Sequence, residues 1–426
     1  MQTASKKVIN GWAMYDWANS VYNLVITSTI FPAYYESVTK VKGDDTVIFL
    51  GRKFVNTALY NYAIATAILI VAILIPILSS IADYKGNKKS FMRFFCTVGS
   101  IACSCLFFFT GKDSMGIGIG CVVIACIGFW SSLVFYNSYL PEIASEKDSD
   151  MVSAKGFTMG YIGSVLLQII CLVLVFTMKD GAMAARLSFV LVGLWWIGWA
   201  QIPFNRLPKG EPSANRPDKS IFANGFIELK KVWAQVKSMP VLKRFLSAFF
   251  FYNMGVQTVM LAAALFGAKE LNLPTDQLII TILIIQLVAI AGAYLMASLA
   301  KKFGNLQVLA FVVVIWILIC VAAYFTTTAT EFYLLGAAVG LVMGGIQSLS
   351  RSTYSKLMPE TKDTASFFSF YDVSEKIAIV IGMFTFGLLE ELTGSMRNSI
   401  LAIMAFFIVG LLLLFTTIAA KKRSIS

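Results

Sequence analysis

The side chains with chemistry to perform in this sequence are charged and polar groups embedded in long apolar runs. Asp372, Glu375 and Lys376 stand at i, i+3 and i+4 within the stretch 366–390, so a helix puts all three on one face. The order, acid four residues before base, favours an Asp372–Lys376 pair and leaves Glu375 without a local partner, suited to taking up a proton. The same charges read equally as an ion cluster that latches helix ends together. Asp16, Asn19 and Asn23, at i, i+3 and i+7, draw a polar stripe along another apolar helix. There Asp16 is either a proton or cation site facing a cavity, or a helix cap held in headgroup water. Arg351 lies beside Gln347 and after Gly344-Gly345. It can meet a substrate carboxylate in a forked geometry or pair internally with Asp372 or Glu375, the arrangement favoured at rest. Lys155 is another candidate partner. Tyr252, Asn253 and Gln257 are the foremost polar midspan groups, ahead of Asn61, Gln168 and Gln286, and they either touch substrate or bridge helices.

Several kinds of chemistry are missing. The chain has no histidine, so any proton relay runs through carboxylates. No nucleophile–base pair, metal cage or Walker-type loop is present, which argues against an enzyme and against direct ATP coupling. No cofactor is expected. The seven cysteines all fall inside apolar segments and read as packing thiols.

These residues must be positioned by membrane helices. Hydrophobic residues make up 58% of the 426, charged residues 14%, and the mean hydropathy is +0.75; a soluble domain carries about 25% charged residues. Apolar stretches long enough to cross a bilayer recur throughout. They are expected near 13–36, 57–80, 91–110, 115–139, 153–177, 186–204, 244–268, 275–299, 307–327, 332–356, 366–390 and 398–420. The fold class is therefore an all-α membrane protein of twelve transmembrane helices in two six-helix bundles. The even-numbered connections and the termini hold 25 of the 35 Lys and Arg, the odd-numbered connections 9. By the positive-inside rule both termini are cytoplasmic. That distribution accounts for the net charge of +12 without nucleic acid.

The halves echo each other at an offset of 218. Ser80-Ile81-Ala82-Asp83-Tyr84-Lys85-Gly86-Asn87 matches Ser298-Leu299-Ala300-Lys301-Lys302-Phe303-Gly304-Asn305, and Pro141-Glu142 matches Pro359-Glu360. Internal repeats are a common construction of secondary transporters. The expected domains are 1–204, a linker 205–243, and 244–426. The linker opens on Leu207-Pro208-Lys209-Gly210-Glu211-Pro212 and continues with Phe226, Leu229, Val232, Trp233 and Val236 at helical spacing, an amphipathic helix at the membrane surface or a solvated linker.

Ser79-x-x-x-Asp83-x-x-Gly86-Asn87-Lys88-Lys89 resembles the loop 2–3 signature of the major facilitator superfamily, with Ser79 where the family has Gly. Three motifs are similar to its vacuole-effluxer branch, the autophagy-linked vacuolar amino-acid exporters and their bacterial relatives. These are Tyr15-Asp16-Trp17-Ala18-Asn19-Ser20, Gly344 through Ser352, and Phe367-Phe368-Ser369-Phe370-Tyr371-Asp372-Val373-Ser374-Glu375-Lys376. The resemblance implies a transporter of small metabolites, amino acids first. It implies gating by Asp83, Gly86, Lys88 and Lys89, joined here by Lys155, with Tyr371 among the substrate or coupling groups. The expectation is a monomeric, proton-coupled symporter or antiporter in the cytoplasmic membrane that works by alternating access. The rival readings are a lipid or drug exporter of the same fold and a non-transporting receptor or scaffold.

Overall fold

The computed structural model describes residues 2–40, 44–210 and 221–425. The first helical segment comprises α1 (Lys6–Val21), a π-helical stretch (Tyr22–Thr29) and α2 (Ile30–Thr39). A hairpin of β1 (Thr46–Phe49) and β2 (Arg52–Val55) follows, then α3 (Asn56–Lys85), α4 (Lys88–Cys105), α5 (Met115–Asn137), the short α6 (Leu140–Ile143), α7 (Ser149–Thr177) and α8 (Gly181–Arg206). Next come α9 (Ile221–Ser238), α10 (Pro240–Glu270), α11 (Thr275–Phe303), α12 (Asn305–Phe325), α13 (Ala329–Leu357), α14 (Thr364–Thr393) and α15 (Met396–Ile425).

Among the described residues ten helices are long and apolar enough to cross a membrane. The two that complete the set of twelve are α1–π–α2 and α14. α14 carries Asp372, Glu375 and Lys376, and α1 carries Asp16 and Asn19. The fold is thus the expected twelve-helix one.

The chain divides into two compact units. One comprises Met1–Ala4, Ser138–Thr158 and Phe226–Ser426, the other Ser5–Asn137 and Met159–Gly225. In the first unit α11 packs along α13, and α10 lies against α14 and α15. Gly340 makes the α11–α13 approach possible: a Cβ there would sit 2.5 Å from the Ile285 carbonyl oxygen. One turn to either side, a Cβ on Gly344 would likewise meet the Ala289 carbonyl oxygen and one on Gly336 the Thr281 methyl, a small-residue stripe of the kind that lets membrane helices pack closely. In the second unit α4 packs on α5 and α8, and α1 on α8.

Helix 1 departs from the expected continuous α-helix over 13–36. It begins earlier, at Lys6, and shifts register midway. The Ser28 and Thr29 hydroxyls donate to the carbonyls of Asn23 and Leu24, five residues back, at 2.9 and 2.7 Å. The Ile30 N–H likewise reaches Val25. Side-chain hydroxyls thus reinforce the i→i−5 pattern of a π-helix.

The hairpin was not expected. Thr46-Val47-Ile48-Phe49 is rich in β-branched residues, and Leu50 (φ 49°) and Gly51 (φ 76°) form the turn. Positive φ at both central residues is the requirement of a type I′ turn. The base is tied by the Thr46 N–H and hydroxyl, which donate to Asp44 Oδ1 at 3.0 and 2.6 Å, and by Lys112, 3.0 Å from Asp44 Oδ2. The Thr46 hydroxyl and N–H, then Lys112, hold the Asp44 carboxyl well below the usual carboxylate range.

In the linker, α9 buries Val232 and Val236 and sets Trp233 against Phe370 at 5.6 Å. Glu211 and Pro212 of the proline-rich run lie outside the described residues, and so do the side chains of Phe226 and Leu229.

Gly340→Val is expected to destabilise the chain by about 1–3 kcal/mol through overpacking, seen as a lowered Tm of the detergent-solubilised protein. Gly181→Ala, at a position open to space, is the control expected to leave it unchanged.

Candidate functional site

α10 and α14 bring the helix 11 charges and the helix 7 amides into one hydrogen-bonded chain. Lys376 is buried and reaches both acids, 2.8 Å from Asp372 Oδ1 and 3.4 Å from Glu375 Oε2. Gln257 Nε2 donates to Glu375 Oε1 at 2.9 Å and, at 3.5 Å, lies near Asn253 Oδ1. The chain therefore runs Asn253, Gln257, Glu375, Lys376, Asp372. Both ends are open among the described residues: Asn253 Nδ2 and Asp372 Oδ2 are buried without a hydrogen-bond partner. One end offers a donor, the other an acceptor. Glu375 is accordingly not left without a partner, since both Lys376 and Gln257 serve it.

An aromatic floor lies toward the N-terminal end of α14. The Tyr371 ring stacks on Phe249 with centroids 4.2 Å apart and lies tilted against Tyr354 at 4.8 Å. Tyr252 shares a 2.7 Å hydrogen bond with Ser350. Gln347 is half-buried with Nε2 3.3 Å from the Met260 sulfur.

Arg351 does not serve the helix 11 acids. Its Nε donates to Ser153 Oγ at 3.0 Å and its Nη2 to the Ser153 carbonyl at 2.9 Å, while the guanidinium lies 4.2 Å over the Phe157 ring. Asp372 and Glu375 are held by Lys376 and Gln257 instead, and this replaces the expected Arg351–carboxylate pair. The reason is reach: Lys376 sits on the same helix, one turn from Asp372. Lys155 is half-buried on α7 two residues beyond Ser153.

A second, part-buried network joins the starts of α7 and α12 to the end of α13. Asp150 accepts from Lys356 Nζ at 2.6 Å and from Asn305 Nδ2 at 2.6 Å, and Lys356 also donates to Asn305 Oδ1 at 3.0 Å. Close by in sequence, Glu142 accepts from the Thr364 hydroxyl at the first turn of α14 at 2.7 Å, where an acid suits the helix dipole. Sequence reasoning singled out neither Asp150 nor Lys356. The available signal was Asn305, which the 218-residue repeat pairs with Asn87.

In the other unit Asp16 lies in the third turn of α1, too far along to cap it, and accepts from the Tyr136 hydroxyl at 2.7 Å. Asn19 is buried, with Nδ2 unpartnered among the described residues. Asn23 falls in the π segment and is half-buried. Gln168 Oε1 accepts from Thr29 at 2.9 Å. Asp83 and Lys88 are buried at the α3–α4 corner, where Gly86 takes φ 63° as the left-handed cap. Lys89 donates to the Leu207 carbonyl at the end of α8 at 2.7 Å.

The residues match the family described as vacuole effluxer Atg22 like over 4–424. The chain belongs to the Atg22-like family. It is 32% identical over 411 residues to the uncharacterized MFS-type transporter YxiO of Bacillus subtilis, covering 95% of this chain and 93% of that one. It is 25% identical to autophagy-related protein 22 of Kluyveromyces lactis, covering 96% and 92%. Among solved structures it is similar to the outward-conformation crystal structure of the transporter FucP (TM-score 0.72, 11% identity, 96% and 98% covered). The proton:xylose symporter XylE is likewise similar (TM-score 0.72, 11% identity, 96% and 95% covered). Those likenesses establish the major facilitator fold. This Atg22-like chain is a membrane-embedded transporter, not an enzyme.

Removing one partner of the Asp150–Lys356 pair leaves the other with Asn305 alone. Asp150→Ala or Lys356→Met alone is expected to lower the Tm, and the double variant by less than the sum of the two; a double-mutant cycle on Tm checks this.

Proposed function

We propose that this chain moves a small polar metabolite, amino acids first, by proton-coupled alternating access. The reading places it in the cytoplasmic membrane as a monomer with both termini cytoplasmic. The observation that carries it is Lys376 shared between Asp372 and Glu375 in a buried site whose terminal acceptor, Asp372 Oδ2, is unpartnered among the described residues.

Two carboxylates against one ammonium leave the cluster one negative charge in excess when all are ionised. A proton on Glu375 removes that excess and lets Lys376 settle on Asp372; its departure draws Lys376 back between the two. Protonation so changes the pairing of α14 with α10 through Gln257. A bound proton biases a conformational equilibrium only through such a difference in contacts. The open donor at Asn253 and open acceptor at Asp372 suit a solute carrying both an acceptor and a donor, as a zwitterion does. Asp16, Asn19, Asn23, Gln347, Arg351, Tyr252 and Tyr371 are assigned to substrate or coupling work, and Asp83, Gly86, Lys88, Lys89 and Lys155 to gating.

One apolar cavity of the C-terminal unit is small. A cavity of about 60 Å³ among Phe266, Ile285, Ile319, Phe332, Val339 and Phe386 is apolar, but sites for drug-sized ligands are about 300–1,000 Å³.

In proteoliposomes a pH gradient is expected to drive uptake of one or more members of a labelled amino-acid panel. Glu375→Gln is expected to lower gradient-driven uptake by about 5–150-fold, the span of ordinary coupling energies, while solute exchange without a gradient persists. Uptake indifferent to the gradient would remove proton coupling. Failure of the whole panel with gradient-driven flux of another solute would remove the amino-acid assignment.

A further inference from the structure

The β1–β2 hairpin presents apolar side chains to the outside. Leu50 at its tip is 87% exposed and Ile48 63%. Leu50 also holds a positive φ, a conformation that Asn, Asp or Gly adopts with less strain. The turn position is thus occupied by a residue that helps neither the backbone nor the interior, since Val47 on the opposite face is the buried one.

Three further features say what the tip meets. First, β2 runs directly from Val55 into α3, and the Phe54 ring lies 6.4 Å from Tyr62, itself 59% exposed on the first turns of that span. Aromatic rings at the start of a span mark the headgroup level, which fixes the hairpin's depth. Second, Arg52 and Lys53 are exposed beside the tip, with Lys53 directly across from Ile48. Third, the acids of the hairpin are at its base: Asp44 is held by Lys112, and Asp45 accepts the Asn56 N–H through its backbone carbonyl. Apolar side chains flanked by cations at headgroup depth complement an anionic lipid surface.

We propose that the hairpin is a lipid anchor on the membrane face opposite the termini, with Leu50 and Ile48 entering the headgroup layer and Arg52 and Lys53 binding anionic lipid headgroups. This stands apart from the transport reading, because it uses none of its residues.

The test is a bimane label at Leu50→Cys in vesicles of phosphatidylcholine with or without phosphatidylglycerol. The unsubstituted chain, whose cysteines lie in the spans, sets the background. With phosphatidylglycerol present, lipids brominated near the headgroup are expected to quench the label and aqueous iodide is not. Arg52→Gln and Lys53→Gln are each expected to lower the ratio of inserted to free tip by about fivefold. A tip open to iodide and untouched by brominated lipid overturns the anchor; this is also the outcome for a surface that serves a protein partner. Insertion indifferent to phosphatidylglycerol and to both cations overturns the anionic-lipid assignment. Leu50→Asn suits the turn better, so a folding defect cannot mask its effect. It is expected to shrink the rise in Tm that phosphatidylglycerol gives the detergent-solubilised chain, and an unchanged rise counts against Leu50.

Discussion

Lys376 between two acids is the interaction on which the rest of the C-terminal unit turns. A charge in the hydrocarbon region is tolerated only with a partner, and one ammonium here serves Asp372 and Glu375 together. Gln257 then ties the cluster to α10. Helix 11 consequently fails a simple test of span apolarity, yet it is a span: its charges satisfy each other and its neighbours instead of water. Removing Lys376 would leave a buried and a half-buried acid in contention, whereas removing either acid leaves a pair.

The buried polar contacts divide into two types. The helix 11 cluster leaves atoms open at both ends, as a site that exchanges partners needs. The Asp150–Asn305–Lys356 network is closed, with the Asp150 carboxylate serving two donors. Arg351 belongs with the second type, gripped by the Ser153 hydroxyl and carbonyl and stacked on Phe157. The closed contacts hold helix ends together, and the small-residue stripe of Gly336, Gly340 and Gly344 lets α13 run close along α11.

Much of this was legible in the sequence because its signals are local. Span length, loop charge and the i, i+3, i+4 spacing of Asp372, Glu375 and Lys376 are all read within one helix. The Asp372–Lys376 pair follows from them directly. The partners that come from another helix were not legible: Gln257 for Glu375, Ser153 for Arg351, Lys356 for Asp150. Each is a common residue whose role depends on tertiary placement. Asn305 shows the boundary well. The repeat marked it as a counterpart of Asn87, yet Asn305 binds Asp150 while the Asn87 side-chain oxygen is buried without a partner among the described residues. The hairpin was passed over because Leu50-Gly51 lacks the usual Asn-Gly turn signature.

The π turn in helix 1 has a geometric consequence for every residue beyond it. A π-helix closes its hydrogen bonds one residue later than an α-helix and so turns less per residue, which makes the stretch Tyr22–Thr29 hold back the phase of Ile30–Thr39 relative to Lys6–Val21. Counting in steps of 100° from Asp16 therefore misplaces the residues beyond Thr29. The buried aromatic wall of Phe31, Tyr34 and Tyr35 is aimed by the hydroxyls of Ser28 and Thr29 as much as by its own spacing. Two small polar side chains thereby set the rotational setting of half a transmembrane helix.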